Sequence, residues 1–292
     1  RYVAFASAAT NLVPGDTNGA VDVFVRDRQT GTTVRASVGP GGAQVNGTSR
    51  EPVLSADGSA VAFVSTAFQL VADDANGAAD IFVRDLVAST TTRASVRTGG
   101  GEADLASSGP VLSGDGRIVA FTSSASNLVA GDTNGAPDVF VHDRTSGVTE
   151  RVSVSSTGGE GDGDSFGAAL SFDGRFVAFG TYATNLVPGA TAGGTFVRDR
   201  QAVTTTQAAG SASSFSLSGD GRYLAGHRSD GSSFVRDRFA GVTHWFSPPN
   251  GNDLFFPVLS RNGRYVGLLS NAAVTPGSGG AGTRLYLLAN PL

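Results

Sequence analysis

The sequence predicts an all-β fold, a six-bladed β-propeller of four-stranded antiparallel blades whose first and last blades are incomplete, and three observations predict it. First, Arg1-Tyr-Val-Ala-Phe returns at a constant interval as Ser59-Ala-Val-Ala-Phe, Arg117-Ile-Val-Ala-Phe and Arg175-Phe-Val-Ala-Phe. It then weakens to Arg222-Tyr-Leu-Ala-Gly and Arg264-Tyr-Val-Gly-Leu. Second, each unit reads as short strands of period two separated by turn residues. Third, glycine is 41 of 292 residues without a triplet pattern, which assigns the glycines to turns. Strand-rich repeats of about 40 to 60 residues are the signature of propeller blades. The repeats lie near 1–50, 51–108, 109–166, 167–212, 213–254 and 255–292, together one domain over 1–292.

The second copy justifies each strand in turn. Pro52-Val-Leu-Ser is a short apolar strand, a; Asp57-Gly58 is a tight-turn pair; and Val61-Ala-Phe-Val alternates sides as strand b. The stretch from Gln69 to Gly77 ends in a cluster of turn residues and reads as a loop. Strand c is Asp80-Ile-Phe-Val-Arg-Asp85, and strand d, Thr90 to Val96, is β-branched and more polar, as suits an outermost strand. The b-to-c landmarks stay in register: Phe5 to Phe24, Phe63 to Phe82 and Phe121 to Phe140 are equally spaced, while Phe179 to Phe196 and Leu268 to Tyr286 are only slightly closer. Gly226 and Phe234 stand less than half as far apart, so the fifth copy keeps its strands and loses its loop. A loop the scaffold can discard is where function is expected.

Alternating strands put the a-to-b and c-to-d turns on one face and the long b-to-c and d-to-a loops on the other, which makes the long-loop face the expected recognition surface. The chain opens on a strand b and ends on a strand c, which predicts twenty-two strands, with three in the first and sixth copies. Flanking polypeptide is expected to complete the ring, or the chain to be a piece of a larger protein.

Composition narrows the partners. All 21 basic residues are arginine and 25 residues are acidic, for a net charge of −4, so nucleic acid and anionic membranes are disfavoured. No apolar run is long enough to span a bilayer, so no membrane insertion by this chain is expected. The absence of Cys excludes disulfides and thiolate chemistry and is compatible with an oxidising compartment.

The run Asp115-Gly-Arg-Ile-Val-Ala-Phe-Thr-Ser, then Asn127-Leu-Val-Ala-Gly-Asp-Thr-Asn-Gly-Ala-Pro-Asp-Val-Phe-Val-His-Asp-Arg, then Glu150-Arg-Val-Ser-Val resembles the TolB-type β-propeller repeats of exported bacterial proteins. The resemblance covers nearly the whole chain. It implies six blades and a secreted, extracellular or periplasmic domain, and it names no ligand.

The sharpest repeated polar pattern is D-x-N-G-x-x-D: Asp16, Asn18 and Asp22; Asp74, Asn76 and Asp80; Asp132, Asn134 and Asp138. Oxygen ligands at positions 1, 3 and 7 around a glycine suit Ca²⁺, the candidate cofactor. The competing reading is that Asp and Asn cap turns through local backbone amides. The following d-to-a loops carry Asn46, Asp104 and Asp162 one repeat apart, which either complete a coordination shell or form a solvated rim with Glu160 and Asp164. Arg26, Arg84, Arg198 and Arg236 precede Asp27, Asp85, Asp199 and Asp237, with His142 replacing Arg in the third copy, and such repetition argues for structure. His142, His227 and His244 have no zinc spacing, and no serine sits in a G-x-S-x-G elbow. Trp245, followed by Phe246, Pro248 and Pro249, stacks on a sugar or fills core. The expected function is an exported, non-enzymatic scaffold that binds a protein partner through its long-loop face, with no catalytic residues. The alternatives are a carbohydrate-binding or carbohydrate-processing propeller, with a glycan as partner, and the propeller domain of a larger hydrolase.

Overall fold

A computed structural model describes residues 1–190, 193–246, 254–270 and 284–292. Among them the chain is all-β, six antiparallel sheets with no α-helix and one 3₁₀ turn at Pro40–Gly42. Sheet one holds β1 (Tyr2–Ser7), β2 (Asp22–Asp27) and β3 (Thr32–Arg35); sheet two holds β4 (Ser49–Leu54), β5 (Ala60–Ser65), β6 (Asp80–Asp85) and β7 (Thr90–Arg93). Sheet three holds β8 (Ser107–Leu112), β9 (Ile118–Ser123), β10 (Asp138–Asp143) and β11 (Val148–Arg151), and sheet four β12 (Ser165–Leu170), β13 (Phe176–Thr181), β14 (Gly194–Asp199) and β15 (Thr204–Gly210). Sheet five holds β16 (Ser214–Leu217), β17 (Tyr223–His227), β18 (Ser233–Asp237) and β19 (Val242–Phe246), and sheet six β20 (Leu254–Leu259), β21 (Tyr265–Ser270) and β22 (Arg284–Ala289). Neighbours in sequence are neighbours in each sheet, as hairpin connections require.

The chain forms two compact units, Arg1–Val152 with sheets one to three and Ser153–Leu292 with sheets four to six. In the first unit, Val23 and Val25 of sheet one meet Val61, Phe63 and Phe82 on one face of sheet two. The other face of sheet two, with Ala60, Ala62, Val64, Ile81 and Val83, meets Val119, Phe121 and Phe140 of sheet three. Period-two strands apolar on both sides are what this stacking needs, and each buried Phe contributes about 1.5–3 kcal/mol through its removal from water.

The second unit repeats the scheme: Ala178 and Val197 of sheet four meet Leu217, Leu224 and Phe234 of sheet five, and Ala225 and Val235 meet Leu259, Val266 and Leu268 of sheet six. On the corresponding outer face of sheet six, Val258, Leu285 and Leu287 are exposed.

Cross-strand phenylalanines mark the register. Phe5 and Phe24, Phe63 and Phe82, Phe121 and Phe140, and Phe179 and Phe196 stack with centroids 5.8, 6.0, 6.0 and 6.1 Å apart. In sheet five Gly226 replaces the b-strand Phe, and a Cβ there would lie 2.5 Å from the Phe234 ring, so the ring has moved into the vacated space. A feature the sequence does not announce is a bulge in the a strands of sheets two, three, four and six. Glu51, Gly109, Gly167 and Phe256 sit there at positive φ.

Candidate functional site

The tight a-to-b turns explain the repeated S-x-D-G. Ser55 Oγ donates to Asp57 Oδ1 at 2.7 Å and accepts from Ala60 N at 3.0 Å, while Asp57 Oδ1 also accepts from Ser59 N at 2.9 Å. Ser113, Ser171, Ser218 and Ser260 repeat the arrangement with Asp115, Asp173, Asp220 and Asn262. These polar groups are consumed by the turn, in which the x side chain takes no part.

The D-x-N-G-x-x-D loops lie between strands b and c. Asn18 Oδ1 accepts from Ala20 N at 3.0 Å, an Asx turn, and Asn18 Nδ2 donates to Asp22 Oδ2 at 3.0 Å and to Val45 O at 2.9 Å. Ser37 Oγ donates to Asp22 Oδ1 at 2.5 Å and accepts from Val23 N at 3.0 Å. The buried guanidinium of Arg35 enters from strand d, with Nη1 3.2 Å from both Asp16 Oδ1 and Asp22 Oδ2 and 2.9 Å from Gln44 Oε1.

The second copy is built alike. Arg93 Nη1 lies 3.5 Å from Asp74, 3.6 Å from Asp80 and 3.0 Å from Glu102, while Asn76 Nδ2 donates to Asp80 at 2.9 Å and Ser95 Oγ to Asp80 at 2.5 Å. In the third, Arg151 Nη1 lies 3.3 Å from Asp132 and 3.0 Å from Asp138, and Asn134 Nδ2 donates to Asp138 at 3.4 Å. The structure thus brings each predicted triplet together around a cation already present, the arginine of strand d.

Sequence reasoning missed Arg35, Arg93 and Arg151, and with them Gln44 and Glu102. The signal was there, since these arginines recur at the same interval as the Val-Ala-Phe landmark. The internal control is sharper still. In sheet four, where the loop carries no carboxylate around Gly189, Gln207 stands opposite Phe196 in the register where Arg35 faces Phe24 and Arg93 faces Phe82. In sheet five, where the loop is short, that register position is Trp245, opposite Phe234. Arginine is found where the acids are and lost where they are lost.

Electrostatics follow burial. Burial pushes the Asp74 and Asp80 carboxyls above the ordinary carboxylate value, with the charge of Asp80 adding to the rise at Asp74. Glu102 is held below its usual value, chiefly by the backbone N–H of Ala75, 2.9 Å from its Oε2. Ca²⁺ takes six to eight oxygens. In the first two copies the carboxylates share a guanidinium, and Asn18 and Asn76 turn their Nδ2 groups toward them, whereas in the third copy carboxylate oxygens of Asp132, Asp138 and Glu160 converge within 4.8 Å of one another.

The d-to-a loops do other work. Asp104 accepts from Ser126 N at 2.9 Å and Ser126 Oγ at 2.7 Å, and Asp162 accepts from Thr184 N and Thr184 Oγ1, both at 2.6 Å. Asn46 N donates to Gln69 Oε1 at 3.4 Å. Each ties its loop to the start of the next b-to-c loop.

The arginines and aspartates at the end of strand c face opposite ways, as strand alternation dictates. Arg26, Arg84, Arg198 and Arg236 donate to Thr33, Thr91, Thr205 and Thr243 on strand d at 2.9–3.2 Å, and His142 Nδ1 meets Thr149 Oγ1 at 2.9 Å. Asp27, Asp143, Asp199 and Asp237 pair instead with Arg1, Arg117, Arg175 and Arg222 at the start of strand b, at 2.6–2.7 Å. The Arg175 guanidinium holds the Asp199 carboxyl down at about 2, and burial depresses the His142 imidazole.

Trp245 is half-exposed on edge strand β19, with the Phe234 ring 5.4 Å away and the Arg228 guanidinium over its face. His227 Nδ1 lies 3.3 Å from Ser233 Oγ, and His244 packs edge-on against Phe246, while Pro248 and Pro249 lie outside the described residues. Compared with known proteins, the chain matches no family model and no curated protein.

Proposed function

We propose that the six sheets are blades of an exported β-propeller of the TolB-like kind, a non-enzymatic module that meets a protein partner through its b-to-c and d-to-a loops. The observation that carries this reading is the pinning of three successive long loops by buried arginines, with the d-to-a loops tied in by Asp104 and Asp162. A loop held this way presents its outer residues without an ordering cost on binding, which is what a recognition surface needs. The same observation favours arginine over Ca²⁺ as the cation of these loops. The stacking of successive sheets within each unit supports the propeller, and the a strand at one edge of sheets two to five supplies the inner position.

The test replaces exposed loop acids that make no side-chain ion pair with strand arginines. Wild-type protein and an Asp73→Arg/Asp164→Arg variant are immobilised and offered the envelope and secreted proteins of the source cells. One protein retained by the wild type and lost from the variant is expected. Equal retention by both, or by neither, overturns the long-loop reading.

A further inference from the structure

We propose a ligand site outside the long loops, formed by the a-to-b turns of sheets four to six, that takes a small monoanionic carboxylate with Arg261 as its anchor. The x residues of the S-x-[DN]-G turns are Ala56, Gly114, Phe172, Gly219 and Arg261. They range from glycine to phenylalanine and arginine, and the last three come together. Phe172 N donates to Gly219 O at 2.7 Å, and Gly219 N donates to Arg261 O at 2.7 Å, so consecutive turns are joined through their backbones. Beside them lies a solvent-open cavity of about 570 Å³, lined by Phe172, Gly219, Asp220, Arg261, Asn262 and Tyr265 among others.

Arg261 is the cation of this cavity. Its guanidinium lies over the Phe172 ring, and among the described residues it has no carboxylate in ion-pair range. A guanidinium held over a ring can still offer N–H donors to a bidentate carboxylate. Gly219 makes this possible, since a Cβ there would lie 2.8 Å from both Arg261 Cγ and Arg261 O. Asp220 lines the same cavity, and its charge repels a phosphate dianion about twice as strongly as a monoanionic carboxylate at the same distance. The Phe172 and Tyr265 rings offer apolar contact to an aromatic or aliphatic body attached to the carboxylate.

Calorimetric titration with phenylacetate, with a tetrapeptide ending Phe-COO⁻, with the same peptide amidated, and with inorganic phosphate tests the site. Phenylacetate binding at about millimolar Kd assigns a free small molecule as the source, and binding of the acid peptide alone assigns a chain terminus. Either result must weaken at least about tenfold in Arg261→Gln, the loss expected for a charged hydrogen-bond partner. Asp220→Asn keeps the turn, because Asn262 fills the same role in sheet six. That variant is expected to bind the carboxylate more tightly and to admit phosphate. No carboxylate binding, or binding unchanged in Arg261→Gln with an unaltered melting temperature, overturns the proposal.

Discussion

Val203 occupies the position in the c-to-d turn that Gly31, Gly147 and Gly241 fill in other copies, and it adopts φ +57° there. A β-branched side chain in the left-handed region costs about 1–2 kcal/mol, and its exposure means that no packing compensates. Val203→Gly is therefore expected to stabilise the protein by about 1 kcal/mol, after the greater freedom of glycine in the unfolded chain is subtracted. A melting temperature at or below the wild-type value would count against this. Asp199 is the second residue-scale case. Its carboxyl titrates near 2 when folded, chiefly because of Arg175, against about 3.9 when unfolded. The unfolded chain binds the proton first as pH falls, so the pair's contribution is complete above about pH 4 and fades toward pH 2. Arg175→Met should shrink that acid dependence and lower stability at neutral pH by the same modest amount, since the arginine is partly exposed, while the bonds from Gln201 N and Ala202 N to Asp199 remain. Melting curves between pH 2 and 7 for the two proteins measure it.

Among the elements, the b-to-c loop shows how far a sequence can be read and where reading stops. Periodicity and turn residues locate β5, β6 and the loop between them, because these are local properties of the backbone. The chemistry of the loop depends on Arg93, which lies on a different strand from Asp80, and only the pairing of β6 with β7 brings it in. Oxygen spacing alone cannot distinguish a metal ion from an arginine that arrives through space. Removing that arginine leaves two buried carboxylates without a counter-charge, so Arg93→Met is expected to cost about 3–5 kcal/mol. Addition of EDTA to the wild-type protein should leave the melting temperature unchanged. A fall on chelation, restored by Ca²⁺, would show that an ion takes part. The bulges at Glu51 and Gly109 escaped the sequence for a related reason: the extra residue is set by the approach of neighbouring strands, seen in the 3.1 Å bond from Gly109 N to Glu51 Oε2.

For the whole molecule, the repeat predicted six sheets and twenty-two strands, and six sheets with twenty-two strands are found among the described residues. A ring of these sheets is the proposed arrangement, and it has a size. A compact domain of 292 residues has a radius of gyration of about 19 Å. Small-angle scattering is expected to give that value with a single-peaked distance distribution, whereas a clearly larger radius with two peaks would mean two separate lobes. The arginines placed inside the loops have a further effect on where such a molecule can operate. Three of the long loops carry a counter-charge covalently, on the arginine of strand d in the same sheet, and on the proposed reading their shape is settled as the chain folds rather than by the mineral content of the surrounding water. Dilution, seawater and a calcium-starved medium are then expected to leave those three loops alike.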